Sequence, residues 1–252
     1  MANPYAPPKA DLVRQNINLE GQGTLQGGID GDYDFSISDI IAEAWAKTSG
    51  AKGTFWLSYL AYAVVAVIVG IAQSFIFPDV QMLFKTGQYS AGILWNGVNT
   101  ITGLPFLYPI LAGITLLSIR HSVDADIEAN AIFKAYAKTL PLFLLGFLII
   151  VLTMLGFVFF IIPGIYLAIA YLMSIALMMD RNMGVWEAME TSRKAISKHW
   201  FKIFFLYLTL AVVFMLASLP LLIGLIWVLP MLTIVHGLLY KKMFGVASVQ
   251  AE

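Results

Sequence analysis

The chain contains no cysteine, which excludes a disulfide framework, thiol chemistry and any cysteine-based metal site. Charge is scarce as well: Asp, Glu, Lys and Arg make up 12% of the residues, whereas soluble domains carry about 25%. The few charges balance to a formal net charge of zero and form no basic run, so nothing favours nucleic acid as a partner. The three histidines, His121, His199 and His236, fall in separate segments without ligand-like spacing, and no metal centre is expected. No nucleophile-and-base pair stands out, so no enzyme activity and no cofactor are expected. The opening MANPYAPPKADLVRQ lacks the apolar core and small-residue end of a secretory signal.

Apolar residues dominate instead, at 60%. From Leu140 to Met179 there is no Asp, Glu, Lys, Arg or His. At about 1.5 Å per residue that stretch is roughly 60 Å of helix, close to two crossings of a hydrocarbon layer about 30 Å thick. It reads as a membrane hairpin turning at Ile162-Pro163-Gly164, since Pro lacks a helix donor and Gly tolerates a tight reversal. The expected fold class is all-α and polytopic, with six transmembrane helices.

Around that hairpin the chain divides as follows. Residues 1–35, rich in Pro, Gly and Asn, read as a flexible cytoplasmic tail. Ile37, Ile40, Ile41, Ala44 and Trp45 lie on one side of an amphipathic helix capped by Ser36 or Ser38 and broken at Ser49 to Gly53. Span one is Thr54 to Phe77, with Ala66, Gly70 and Ser74 four apart as a helix-packing face. A loop to about residue 92 precedes span two, Ile93 to Ile119, whose Pro105 and Pro109 predict a bend. A second amphipathic segment places Ala129, Ile132, Phe133 and Tyr136 together, and a third groups Val185, Ala188, Met189, Ser192 and Ile196. Spans five and six are Trp200 to Ala217 and Leu221 to Tyr240, joined by Ser218-Leu219-Pro220, and residues 245–252 form a short tail.

Of the fifteen Lys and Arg residues only Lys85 falls on the side opposite the termini. The positive-inside rule then places both ends in the cytoplasm of a bacterial inner membrane, with Trp45, Trp56, Trp186 and Trp200 near the inner boundary. The membrane domain, 36–244, also reads as three parallel units, about 36–121, 122–183 and 184–244, each a cytoplasmic amphipathic helix followed by a hairpin. Their junctions correspond: Trp45-Ala46-Lys47-Thr48, Tyr136-Ala137-Lys138-Thr139 and Ile196-Ser197-Lys198-His199.

The run PGIYLAIAYLMSIALMMDRNMGVWEAMETSRKAISKHWFKIFFLYL, Pro163 to Leu208, resembles the large group of uncharacterised bacterial integral membrane proteins related to the membrane domain of glycerophosphoryl diester phosphodiesterases. The shared pattern is Pro-Gly, an apolar span, Asp180-Arg181, an Ala-x-x-x-Ser helix at Ala188 and Ser192, then an aromatic-rich span. The resemblance implies a multi-helix membrane module. The hydrolase activity of that group belongs to a separate soluble domain with clustered His and acidic residues, which this sequence lacks, and is not carried over.

Three sets of residues are candidates for function. Asn96, Asn99 and Thr100 form the most polar intramembrane cluster, either lining a solute path or satisfying a helix bend. His236 lies inside span six, where an ionisable group is a functional candidate, although near the boundary its ring can also reach water or a carbonyl. Lys47, Lys138, Arg193, Lys194, Lys198 and Lys202, beside apolar stripes, suit lipid-headgroup contacts, each worth about 1 kcal/mol at an anionic surface. The same helices could equally form a collar beneath the bundle. No span carries the carboxylate of an ion-coupled carrier. The leading expectation is a non-catalytic accessory or scaffold protein that binds membrane lipids, a second copy of itself or another membrane protein. The alternative is an uncoupled transporter or channel for a lipid or small solute.

Overall fold

The computed structural model describes residues 20–78 and 89–247. Over these residues the chain is all-α, and six stretches are long and apolar enough to cross a membrane. The early tail, the loop carrying Lys85 and the last five residues lie outside the described residues.

Residues 20–35 differ from the expected loose tail. Helix α1 (Leu25–Asp30) starts at Thr24, whose hydroxyl accepts the Gly27 amide. The segment is fixed beneath the bundle because Tyr33 and Phe35 are buried, the Tyr33 hydroxyl donates to the Ala195 carbonyl, and the Gly23 amide donates to the Lys241 carbonyl. Low overall hydrophobicity concealed these two anchoring rings. The other end is fixed too, since the Val246 and Ala247 amides donate to Gln22 and Asp180. Both described ends therefore meet on one face of the bundle.

Helix α2 (Ile37–Ile76) is capped by Ser36 and does not break at Ser49 to Gly53. Glycine inside a helix costs only about 1 kcal/mol relative to alanine, too little to interrupt 40 residues of continuous hydrogen bonding. Helix α3 (Tyr89–Ser122) likewise passes through Pro105 and Pro109 without a break. The second lead-in is a 3₁₀ helix (Ala129–Lys138). Side chains three apart eclipse in that winding, so Ile132 and Ala135 are buried while Phe133, expected on the inner stripe, turns outward.

The central hairpin is α4 (Thr139–Phe159) and α5 (Ile161–Ala170), reversing at extended Phe160 rather than at Ile162-Pro163-Gly164. Pro163 instead occupies the first turn of α5, where its missing donor has no helical partner to lose. Gly164 is where the two helices touch: a Cβ there would lie 2.4 Å from the Phe157 ring. The fourth span is itself interrupted between α5 and α6 (Ser174–Arg181). Beyond it α7 (Val185–Lys198) buries Ala188, Met189, Ser192, Ala195 and Ile196 against its neighbours, chiefly α6 and α1. That apolar face is covered by protein, as a collar would be. The three lead-in segments thus take three forms: a continuation of the span, a 3₁₀ helix and a separate α-helix.

Helices α8 (Trp200–Ser218) and α9 (Leu225–Phe244) complete the bundle. The reversal between them occupies 219–224, four residues later than expected for span six. Leu221 and Leu222 have positive φ and are exposed, so apolar character did not distinguish turn from helix. Although α9 is the least apolar span, it is the most buried and packs between α2 and α3. In lipid, hydrophobicity marks exposure rather than the core. A Cβ on Gly237 would come 2.2 Å from the Ser118 carbonyl oxygen, so glycine permits the closest approach of α9 to α3. Pro230 has no N–H for the Ile226 carbonyl, and the Trp56 indole donates to that oxygen at 2.9 Å.

Candidate functional site

Polar side chains three apart occur in three different spans: Tyr59 and Tyr62 on α2, Thr115 and Ser118 on α3, and Thr233 and His236 on α9. Residues at that spacing share a helix face. The packing of α9 between α2 and α3 turns all three pairs toward one cavity of about 440 Å³. Leu111, Ile114, Leu172 and Ile175 supply its apolar wall, Leu172 from the α5–α6 interruption itself and Ile175 from the first turn of α6. Its size falls within the range of about 300–1,000 Å³ typical of small-molecule sites.

Hydrogen bonds fix the walls. Tyr59 bridges to α9, its hydroxyl 2.5 Å from the Thr233 hydroxyl and 3.2 Å from the Leu229 carbonyl. Thr115 donates to the Leu111 carbonyl at 2.9 Å, and Ser118 donates to the Thr115 carbonyl at 2.8 Å. His236 is held from α8 by the Tyr207 hydroxyl, 2.7 Å from Nδ1. No formal charge lines the cavity.

Of the expected site residues, only His236 belongs here. Asn99 lies elsewhere: its carbonyl accepts from Gln73 Nε2 at 3.0 Å, and the same Gln73 amide donates to Thr102 at 2.6 Å. Gln73 is fourteen residues beyond Tyr59 on α2, about 20 Å along the axis. The Asn99 Oδ1 is buried without a hydrogen-bond partner, and Thr100 is exposed. Buried Gln73 organises this second polar cluster. Sequence reasoning missed Gln73 as well as the tyrosines, threonines and serine of the cavity. The repeated i, i+3 polar pairs were the signal available.

The basic candidates are mostly engaged within the protein. Lys47 pairs with Asp124, and its carbonyl oxygen lies 3.0 Å from His121 Nε2. Lys138 donates to the Met178 carbonyl. Arg193 makes two bonds to Glu190, at 2.8 and 2.7 Å, which hold the Glu190 carboxyl below and the guanidinium above their ordinary pKa values. Lys194 is 3.6 Å from the same carboxylate. Lys202 pairs with Asp34 and lies over the Phe35 ring, and its hydrogen bond is the chief cause lowering the Asp34 pKa. Lys194 and Lys198 are the most exposed of the six.

Of the Ala66, Gly70 and Ser74 face, Ala66 and Ser74 are half-buried, whereas Gly70 is exposed, with open space among the described residues where a Cβ would lie. Val69 and Gln73, one residue round the helix, are buried instead. Among the described residues no group of His, Asp and Glu could hold a metal ion. No family model, curated protein or solved structure matches the chain.

Proposed function

We propose that the protein is a non-catalytic accessory or scaffold protein of the bacterial inner membrane, with both termini cytoplasmic, that holds a membrane lipid in the cavity between α2, α3 and α9. The observation that carries this reading is the convergence of three polar pairs on a concave, uncharged space inside the spanning segments. A lipid is the molecule that reaches such a space laterally and matches both its apolar wall and its hydrogen-bonding groups. The resemblance of residues 163–208 to a membrane module without its hydrolase domain agrees with a binding role. Exposed Lys194 and Lys198 extend it to anionic headgroups at the surface.

The reading is tested by purifying the protein in discs of its native membrane, identifying retained lipid, and measuring solute flux in reconstituted vesicles. The accessory reading expects a stoichiometric lipid and no flux above protein-free vesicles. Flux abolished by Asn96→Ala with Asn99→Ala would replace it with an uncoupled transporter.

A further inference from the structure

The hydrogen-bonding inventory of the cavity narrows its ligand. Thr115 and Ser118 spend their protons on main-chain carbonyls. Thr233 does the same toward Leu229 when Tyr59 donates to it. Those three oxygens are left as acceptors. Elsewhere on the lining, the Tyr62 phenol has no hydrogen-bond partner among the described residues, and His236 has one ring nitrogen beyond the bond to Tyr207. Nε2 donates or accepts according to the tautomer.

A hydroxyl answers both sets of groups, donating to a Thr or Ser oxygen while accepting from Tyr62 or His236. An ionised group does not fit, because no Lys, Arg, Asp or Glu lines the space, and an unpaired charge is costly to desolvate. A fully esterified lipid fails in the opposite way, since it brings no donor for three acceptors. Leu111, Ile114, Leu172 and Ile175 match glyceryl carbons and the first part of an acyl chain.

We propose that this cavity binds an uncharged lipid with a free hydroxyl, of the diacylglycerol class, through the oxygens of Thr115, Ser118 and Thr233 together with Tyr62 and His236. The inference rests on the reading of the protein as lipid-binding and adds the class of lipid.

The test uses the full chain in phosphatidylcholine discs with a photoactivatable diacylglycerol. Competitors with the same acyl chains are diacylglycerol, phosphatidic acid, which replaces the hydroxyl by phosphate, and triacylglycerol, which esterifies it. Crosslinks are expected within 111–118 or 229–236, displaced by diacylglycerol at concentrations at least tenfold below the other two. Thr115→Val and Thr233→Val should each weaken labelling about fivefold, the loss of roughly one hydrogen bond, with unchanged melting verifying the fold. Thr115 is only half-buried, so that variant remains informative if Thr233→Val misfolds. Equal displacement by phosphatidic acid or triacylglycerol, crosslinks confined to other segments, or undiminished labelling of folded Thr115→Val would overturn the proposal. Specific retention of a phospholipid that diacylglycerol does not displace overturns only the class of lipid, whereas retention of no lipid removes the broader reading.

Discussion

The Ser192 hydroxyl donates to the Ala170 carbonyl at 2.7 Å and accepts the Met173 amide at 3.1 Å. Those two main-chain groups flank the α5–α6 interruption, where no helical partner serves them. One side chain on α7 thus allows the fourth span to break beside the cavity, because leaving a buried backbone group unserved costs about 1–3 kcal/mol.

Ser192→Ala removes both bonds at a fully buried position. It should destabilise the protein by about 2 kcal/mol, read as lowered thermal melting in mild detergent. Ser197→Ala, on the exposed side of α7, should change melting little. Equal melting of the two variants would mean that the interruption does not depend on Ser192.

Trp56 and Pro230 form a coupled pair through the Ile226 carbonyl. Trp56→Phe should cost about 1 kcal/mol in the native background and measurably less with Pro230→Ala, which restores an intrahelical donor. The double-mutant cycle measures that coupling. A cost independent of residue 230 would show that the indole acts through packing alone.

The clasp of residues 20–35 should loosen in acid. Lys202, first through its hydrogen bond, holds the Asp34 pKa below its ordinary value of 3.8. A lowered folded-state pKa contributes stability that is present above the unfolded value and is lost as pH falls through the folded one. Limited proteolysis within residues 20–35 should therefore be constant from neutral pH to about pH 5 and accelerate below about pH 4. The effect should be small, since Asp34 is exposed, and Asp34→Asn should be equally susceptible throughout. Acceleration below about pH 4 that is the same in Asp34→Asn would contradict the role of Asp34.

Lys194→Glu with Lys198→Glu should lower the share of anionic lipid retained in mixed-lipid discs, because roughly 1 kcal/mol per basic residue is lost and repulsion is added. Lys47→Gln should affect lipid retention less, since Asp124 already engages that ammonium. Unchanged retention in the double variant would confine lipid contact to the membrane interior.

The existence of six apolar crossings was legible because lipid leaves so few alternatives for an uncharged run. Boundaries were less so, for identifiable reasons. Gly50 and Gly53 read as a break but sit in unbroken α2 with open space around them, whereas exposed Leu221 and Leu222 read as helix but form a turn. The tail was misjudged because Tyr33 and Phe35 find their cover on elements more than 150 residues away, among them Ala195. At the candidate site only His236 was recognised, since an ionisable ring inside a span is conspicuous. The hydroxyls beside it are ordinary residues of membrane helices, and only the approach of α9 to α3 at Gly237, with Tyr59 reaching Thr233, brings them together.

Native mass spectrometry of the protein ejected from its own membrane, beside Thr115→Phe, which sets a ring into the cavity wall in place of a hydroxyl, tests the central claim most directly. The account predicts one retained lipid on the native chain and its loss in the folded variant. A native chain that emerges bare, or a variant that keeps the same lipid, would contradict it.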